Sequence, residues 1–300
     1  MRIDERIASG AEPSFSFEFF PPKTDEGERN LGRALAELSR MQPTFVSVTY
    51  GAGGNEAQKR KTIDIVSSIK AEHGLEAMAH FTCVDATVGE LRETLDLMRD
   101  AGIRNVLALR GDPPQGQTEW TATEGGLSYS RELIEMIRED YDVAIGAACF
   151  PEVHIHAESA ESDLRYCKEK VDAGARFLIT QLFFDNAVYW EFVARARDIG
   201  IDVPIIPGIM PITNADQITR FTSMCGATIP SEVTRELGLR ADQPGAVADF
   251  GVAYATLQCA DLLAKGAPGI HFYTLNRSTA TRAILSALRC MTPWRDAVPA

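Results

Sequence analysis

Eight short apolar runs alternate with amphipathic segments along the chain, and this alternation is the feature that most constrains the fold. Each run is long enough for one buried strand, and each intervening segment carries apolar residues at helical spacing. Strands that alternate with helices favour a parallel sheet, and eight such units are typical of a (β/α)8 TIM barrel. We therefore predict one α/β barrel domain over residues 1–300. The predicted strands are residues 14–20, 45–51, 76–83, 105–111, 144–150, 177–184, 203–211 and 269–276.

The connection between the seventh and eighth strands is the longest, from about residue 213 to 268. It contains three helix candidates, which predicts extra helices at this point of the barrel rather than a second domain. A doubly wound open sheet is the alternative. It is disfavoured because no glycine-rich GxGxxG turn follows an early strand.

Composition argues against several classes of binding partner. Thirty Lys and Arg residues against 42 Asp and Glu residues give a net charge of −12, which argues against nucleic acid and anionic membrane as partners. The six cysteines are scattered without a CxxC pair, and neither a signal peptide nor a membrane-length apolar run is present. These features predict a cytoplasmic protein with reduced thiols. The oligomeric state is not legible, and a homo-oligomer stays open.

The first predicted strand, within the stretch FSFEFFPP, carries Glu18 close to its end. Alternation places Phe15, Phe17 and Phe19 on one face and Ser16 and Glu18 on the other. The following prolines cannot donate ladder hydrogen bonds, so the strand ends just beyond the glutamate. A carboxylate among aromatic side chains is expected to have a raised pKa. The ordinary alternative is a glutamate that reaches solvent or pairs with a basic neighbour.

Polar residues gather at the ends of the other strands too, where barrels place catalytic groups. They include Thr49, Tyr50, His80, Thr82, Arg110, Asp112, Glu152, His154, Gln181, Asp185, Asn276 and Arg277. Two carboxylates at one mouth, Glu18 and Asp112, also fit a glycosidase, but the neighbouring Thr, Tyr, Gln and Arg residues suit a heteroaromatic ligand better. The sequence HIH at 154–156 follows the fifth strand, and with five histidines in all it does not predict a metal site.

With these residues laid out, the chain resembles the methylenetetrahydrofolate reductases. The stretches that carry the resemblance run in order from residue 16 to 277. They are SFEFFPPKT, SVTYGAGG, AHFTC, LALRGDPP, FPEVH, DAGARFLITQLFFD, PGIMPI and HFYTLNR. The resemblance implies reduction of 5,10-methylenetetrahydrofolate to 5-methyltetrahydrofolate with NADH or NADPH. No Rossmann acidic residue is present to distinguish the two nucleotides.

The resemblance also implies roles for individual residues. Glu18 would be the general acid that opens the methylene bridge to an iminium ion, and Asp112 the negative charge that stabilises this cation. Contacts to the folate fall on Asp112, Gln181, Gln217, Phe221 and Arg277, and Thr49 would contact the nicotinamide.

FAD is the usual cofactor of the resembled family, and the flavin positions match only in part. The matching positions are Tyr50, Ala52, His80, Arg110, Gly111, His154, Asp163, Lys170 and Gln181. The departures are Phe150 for the usual tyrosine, Ile155 for a proline, Tyr166 for a small amide and Glu169 for a basic residue, with Ser130 and Arg131 in place of the usual YA-type segment. Two routes stay open: hydride passes through FAD, or directly from the nicotinamide to the folate.

Two further functions remain alternatives. One is another flavin-linked barrel dehydrogenase, such as one that oxidises proline, and the positions of Gln217 and Phe221 do not support it. The other is a non-catalytic folate-binding subunit, and the presence of both Glu18 and Asp112 argues against it.

Overall fold

The computed structural model describes residues 1–10, 12–50, 56–112 and 122–297 of the chain. Nine parallel strands form its sheet: β1 Ser14–Phe19, β2 Phe45–Val48, β3 Ala77–Thr82, β4 Asn105–Leu109, β5 Ala144–Cys149, β6 Phe177–Thr180, β7 Ile205–Ile206, β8 Gly208–Ile209 and β9 Gly269–Tyr273. The early helices are α1 Ile3–Ala8, α2 Asp25–Ser39, α3 Glu56–His73, α4 Val88–Asp100, α5 Ser130–Asp140, α6 Ala160–Ala173 and α7 Asn186–Asp198. The later ones are α8 Ala215–Cys225, α9 Ser231–Leu239, α10 Ala246–Ala264 and α11 Thr279–Met291, followed by a short 3-10 helix Pro293–Asp296.

The sheet closes into a barrel, and one of its eight strand positions is divided between two short strands, β7 and β8. The strand order runs from β7 through β6, β5, β4, β3, β2 and β1 to β9 and β8. β7 pairs with β6 and β8 pairs with β9, while Pro207 stands between β7 and β8. Because the Pro207 carbonyl accepts a hydrogen bond of 2.9 Å from the His271 N–H, the two short strands together occupy one strand position of the barrel. The predicted (β/α)8 TIM barrel is confirmed. That residues 1–300 form a single domain stays a prediction.

The predicted strands are longer than the observed ones at their carboxyl ends. The clearest case is the sixth, predicted over 177–184, where ladder pairing stops at Thr180. Leu182, Phe183 and Phe184 are buried against other elements instead, so their apolar character reflects packing rather than strand structure. The seventh predicted strand, 203–211, is interrupted because Pro207 has no N–H to donate.

The alternation predicted for β1 is confirmed. Phe15, Phe17 and Phe19 belong to the large core between barrel and helices. Ser16 and Glu18 face the opposite way, towards the barrel axis, where His271 stacks on Phe45 at 6.0 Å between ring centroids. Below them a smaller apolar cluster fills the barrel, and Ile3 of α1 closes its amino-terminal end, its N–H bound to Asn105 Oδ1 at 2.7 Å.

Three helices, α8, α9 and α10, lie in the long connection before β9, as predicted. They enclose an apolar cluster of their own, which includes Phe184, Met210, Ile212 and Ile218. Helix α10 is fixed to the segment after β6 because Tyr254 donates its hydroxyl proton to the Phe184 carbonyl at 2.6 Å. Ile218 of α8 shares this cluster with Leu182 and Met210, which follow β6 and β8, so α8 lies beside the carboxyl ends of these strands. Among the described residues, no helix combines the length and the apolar character that crossing a bilayer requires.

Candidate active site

The end of β1 is held by the turn that follows β9. Thr274 donates its hydroxyl proton to the Glu18 carbonyl at 2.6 Å. The Asn276 side chain forms two hydrogen bonds with the backbone of Phe20, accepting from its N–H at 3.0 Å and donating to its carbonyl at 2.9 Å. Asn276 can do so because it adopts a left-handed backbone with φ of 56°, which asparagine tolerates better than most residues. The backbone beneath Glu18 is therefore fixed on both sides.

The Glu18 carboxylate lies between two imidazoles. Its Oε2 atom is 3.3 Å from Nε2 of His80, on β3, and 3.5 Å from Nε2 of His271, on β9. The Glu18 side chain retains 18% exposure, whereas His271 is fully buried, so the carboxylate is the part of the cluster that opens to the mouth. On its far side, His271 Nδ1 is 2.8 Å from Ser16 Oγ. When Ser16 donates this hydrogen bond, Nε2 of His271 carries the ring proton and points it at Glu18.

This environment overturns the raised pKa that the aromatic sequence predicts for Glu18. Burial raises the pKa of Glu18, but the hydrogen bond from His271 and the charges of His80 and His271 lower it more, so the net pKa lies below its usual value. The prediction was wrong because the neighbouring phenylalanines face the helices, while two histidines from distant strands face the carboxylate. Glu18 is a carboxylate in the free protein at neutral pH.

His80 behaves differently from its partner. Burial lowers the pKa of His80, the nearby Glu18 charge opposes this, and His271 lowers it further, so that the net pKa lies below its usual value. His80 is thus mainly neutral at pH 7. At that pH the ionised form of Glu18 is stabilised chiefly by the hydrogen bond from His271. His80 Nε2 is buried, and no hydrogen-bond partner of proper geometry is found for it in the described part of the chain. Such an atom at the barrel mouth is suited to contact a bound ligand.

A second polar cluster lies across the mouth, at the ends of β4 and β5. Gly111 directs the chain there with φ of 93°, and a Cβ atom on it would lie 2.4 Å from Cγ1 of Val84. Only glycine fits this turn without displacement of Val84. The turn leaves Asp112 exposed at the mouth, close enough to His154 for its charge to raise that residue's pKa.

His154 is the centre of this second cluster. Burial lowers the pKa of His154, and the charges of Arg110, His156 and Lys170 lower it further against the effect of Asp112, to about 4. Its ring is therefore neutral at physiological pH. Its backbone N–H donates to Asp163 Oδ2 at 3.2 Å, and its Nδ1 accepts from the His156 N–H at 3.1 Å. In the described part of the chain, no three His, Cys, Asp or Glu side chains form a metal-binding group.

The remaining predicted site residues lie around the same mouth. Gln181 follows β6, and its Oε1 accepts from the Leu182 N–H at 2.9 Å. Gln217 and Phe221 share one face of α8 at i and i+4, both half-buried, and Phe221 packs on the cluster beneath that helix. Arg277 is exposed beyond β9, while Thr49 is half-buried and Tyr50 buried beyond β2. Ala52 lies outside the described residues. The structure places these residues, and their roles stay predictions.

Sequence reasoning missed His271, Ser16 and Thr274 as parts of the site. The available signal was the alternation within residues 269–276, where a histidine occupies an inward position in an otherwise apolar strand. The pairing of His271 with Ser16 across β1 and β9 spans 255 residues, which no local pattern reveals.

Fold and site define a (β/α)8-barrel protein that carries an acid–base cluster at the carboxyl ends of its strands. Comparison with known proteins identifies the family, because the methylenetetrahydrofolate reductase profile matches residues 2–289. The chain is 41% identical to the 5,10-methylenetetrahydrofolate reductase of Escherichia coli, covering 91% of this chain and 90% of that protein. It is also 40% identical to methylenetetrahydrofolate reductase (NADH) 1 of Arabidopsis thaliana, over 98% of this chain and 53% of that protein. The chain belongs to the methylenetetrahydrofolate reductase family, and it spans about half the length of the plant relatives.

Solved structures agree on the fold alone. A Clostridium thermocellum protein that binds two copies of 5-methyl-5,6,7,8-tetrahydrofolic acid superposes with a TM-score of 0.63 at 16% identity, covering 96% of this chain and 98% of that one. Dihydropteroate synthase from Xanthomonas albilineans gives a TM-score of 0.52 at 14% identity, covering 96% of this chain and 95% of that one.

Proposed function

We propose that this protein reduces 5,10-methylenetetrahydrofolate to 5-methyltetrahydrofolate, with a reduced nicotinamide as electron donor. The observation that carries the proposal is the Glu18 carboxylate, held at the mouth between His80 and His271 in a chain that belongs to the methylenetetrahydrofolate reductase family. The NADH named in the plant relatives supports NADH as the donor. We place the activity in the cytoplasm, with no nucleic acid or membrane partner, in keeping with the charge of −12.

Protonation is the first task of the site. The methylene bridge opens to an iminium ion when the departing nitrogen takes up a proton, and a carboxylic acid is suited to supply it. Glu18 is ionised in the free protein, so the acid must form in the complex. A pterin over the mouth would remove water from the exposed part of Glu18, which favours the protonated carboxyl group. The proton reaches Glu18 from water at the mouth before the pterin covers it, and His271, whose Nε2 lies 3.5 Å from Oε2, holds the carboxyl group in position.

Stabilisation of the cation is the second task. Asp112 is exposed at the opposite side of the mouth and offers a fixed negative charge to the iminium ion. Phe221 on α8 presents an aromatic face for the folate's planar ring, with Gln217 one turn before it. Gln181 would contact folate and nicotinamide, Thr49 the nicotinamide, and the exposed Arg277 guanidinium the substrate's glutamate carboxylate.

The test is the oxidation of NADH or NADPH that depends on methylenetetrahydrofolate, with Glu18→Gln as the variant. Loss of a general acid lowers the rate by about 100- to 10,000-fold. Glu93→Gln, on the exposed face of α4, is the matched control and should retain full activity. Turnover of Glu18→Gln at the parent rate would refute the assigned acid. Tight folate binding without turnover by any donor would favour a binding subunit instead.

A further inference from the structure

The outer surface of α5 and α6 carries three of the residues at which the chain departs from the flavin pattern, Arg131, Tyr166 and Glu169. We call the α5–α6 face the set Tyr129, Arg131, Arg165, Tyr166 and Glu169. Tyr129 and Tyr166 are largely exposed, and their rings lie nearly parallel, 6.4 Å apart between centroids with an interplanar angle of 11°. The Arg165 guanidinium lies 5.2 Å from the centroid of Tyr166. Aromatic side chains and an arginine thus already cover this surface.

Charges on the α5–α6 face are paired within the protein. Arg131 contacts Glu135 at 3.1 Å and Glu169 at 3.7 Å, and thereby joins the two helices. Arg165 also contacts Glu169, at 4.0 Å. The diphosphate of a dinucleotide cofactor requires cations that are not neutralised, and Glu169 would repel it.

One cation beside the second cluster, Lys170, is directed inward. Lys170 donates a hydrogen bond of 2.5 Å from Nζ to the Ala148 carbonyl of β5 and lies 5.9 Å from the ring centroid of Phe150. Asp163 likewise accepts from the His154 N–H. Lys170 and Asp163 are thus engaged within the protein. Together with the paired charges of the α5–α6 face, they do not fit the diphosphate of the cofactor that the family resemblance implies.

We propose, resting on the function proposed above, that the α5–α6 face excludes FAD and that hydride passes directly from the dihydronicotinamide to the folate. In this reaction the C4–H bond of the nicotinamide breaks and its electron pair forms a C–H bond at the iminium carbon. The departing folate nitrogen takes one proton through Glu18. Methylenetetrahydrofolate, NADH and a proton yield methyltetrahydrofolate and NAD⁺. NADH and folate therefore occupy the mouth together.

Isotope transfer tests the route. NADH deuterated at either face of C4 is oxidised with methylenetetrahydrofolate in ordinary water, and the methyl group of the product is analysed by mass spectrometry. Direct transfer keeps the deuterium of one stereoisomer in the methyl group. A flavin route places it on the flavin N5 atom, which exchanges with water, so loss of deuterium from the product would overturn the proposal.

Binding tests the exclusion independently of turnover. The purified protein should be colourless, and FAD fluorescence should show no saturable change in titration. Stoichiometric flavin, or saturable FAD binding by the parent chain, would overturn the proposal. Absence of folate reduction with NADH or NADPH, with and without FAD, would refute the proposed function instead, while the titration would still decide whether FAD binds.

The residues responsible are tested by reversal. The double variant Tyr166→Asn with Glu169→Arg restores a small amide and a basic residue. It should bind FAD saturably, at least about tenfold more tightly than the weakest affinity that the titration of the parent would detect, a gain of about 1.4 kcal/mol. Glu93→Arg makes the same charge change on α4 and should bind no better than the parent. A folded double variant without improved FAD binding would refute the role assigned to the α5–α6 face.

Discussion

The contact between Glu18 and His271 should contribute measurably to the stability of the folded protein at neutral pH. His271→Ala removes the hydrogen bond to the carboxylate, the contact with Ser16 and the stacking on Phe45. The single variant should lose roughly 3 kcal/mol, mostly from the cavity and the lost packing. A hydrogen bond to a charged group contributes about 1.5–3 kcal/mol, and the 3.5 Å separation places this one at about 1.5 kcal/mol.

A double-mutant cycle with Glu18→Gln isolates this contribution. Unfolding of the parent chain, both single variants and the double variant is followed in urea at pH 7. We expect a coupling energy of about 1.5 kcal/mol. Because the pKa of Glu18 is lowered on folding, its contribution is present above the unfolded pKa and is lost as the pH falls through the folded pKa. The coupling should therefore stay constant down to about pH 4.5, the usual value of the carboxyl group, and shrink below it. A coupling energy near zero at pH 7 would refute the assignment of His271 as the partner of Glu18.

Two further measurements test the second cluster. Gly111→Ala should lower the free energy of unfolding by roughly 1–3 kcal/mol, because its Cβ would meet Val84 at 2.4 Å. Gly74→Ala, also at positive φ but with no atom within 4 Å, should cost about 1 kcal/mol, and equal losses would contradict the steric argument. The pKa of His154 should be about 4 in an NMR titration, lower still in Asp112→Asn because the carboxylate raises it. Since this pKa is below the unfolded value, protonation of His154 should reduce the stability of the folded protein as the pH falls from about 6.5 towards 4. An unchanged His154 pKa in Asp112→Asn would show that Asp112 lies away from this cluster.

The barrel could be predicted from sequence because its signals are local. Alternation in FSFEFFPP sets the faces of β1, and the prolines mark its end, so the position of Glu18 at the mouth follows from neighbouring residues alone. Ser159 begins α6 by accepting a hydrogen bond from the Ser162 N–H, a capping pattern that is also visible in sequence. The apolar run after β6 led to a wrong strand boundary, because residues buried against helices are as apolar as residues buried in a sheet.

The electrostatics of the site could not be predicted in the same way. The pKa of Glu18 depends on His80 and His271, which are 62 and 253 residues away in the chain and become neighbours only through strand order. A resemblance to a family names the residues of a site but not their ion pairs. The bridge from Arg131 to Glu169 joins two departures from the flavin pattern that are separate in sequence.

Closure of the barrel and placement of Glu18 depend on the same interactions. The first and last strands, β1 and β9, meet along one seam, where Ser16 contacts His271 and Thr274 binds the Glu18 carbonyl. Asn276 extends this seam to Phe20. Each bond joins residues about 255 positions apart, so none can form before the chain has closed. The Glu18–His271 pair is therefore assembled only in the complete barrel, and variants that loosen the seam should separate Glu18 from His271 before the helices unfold.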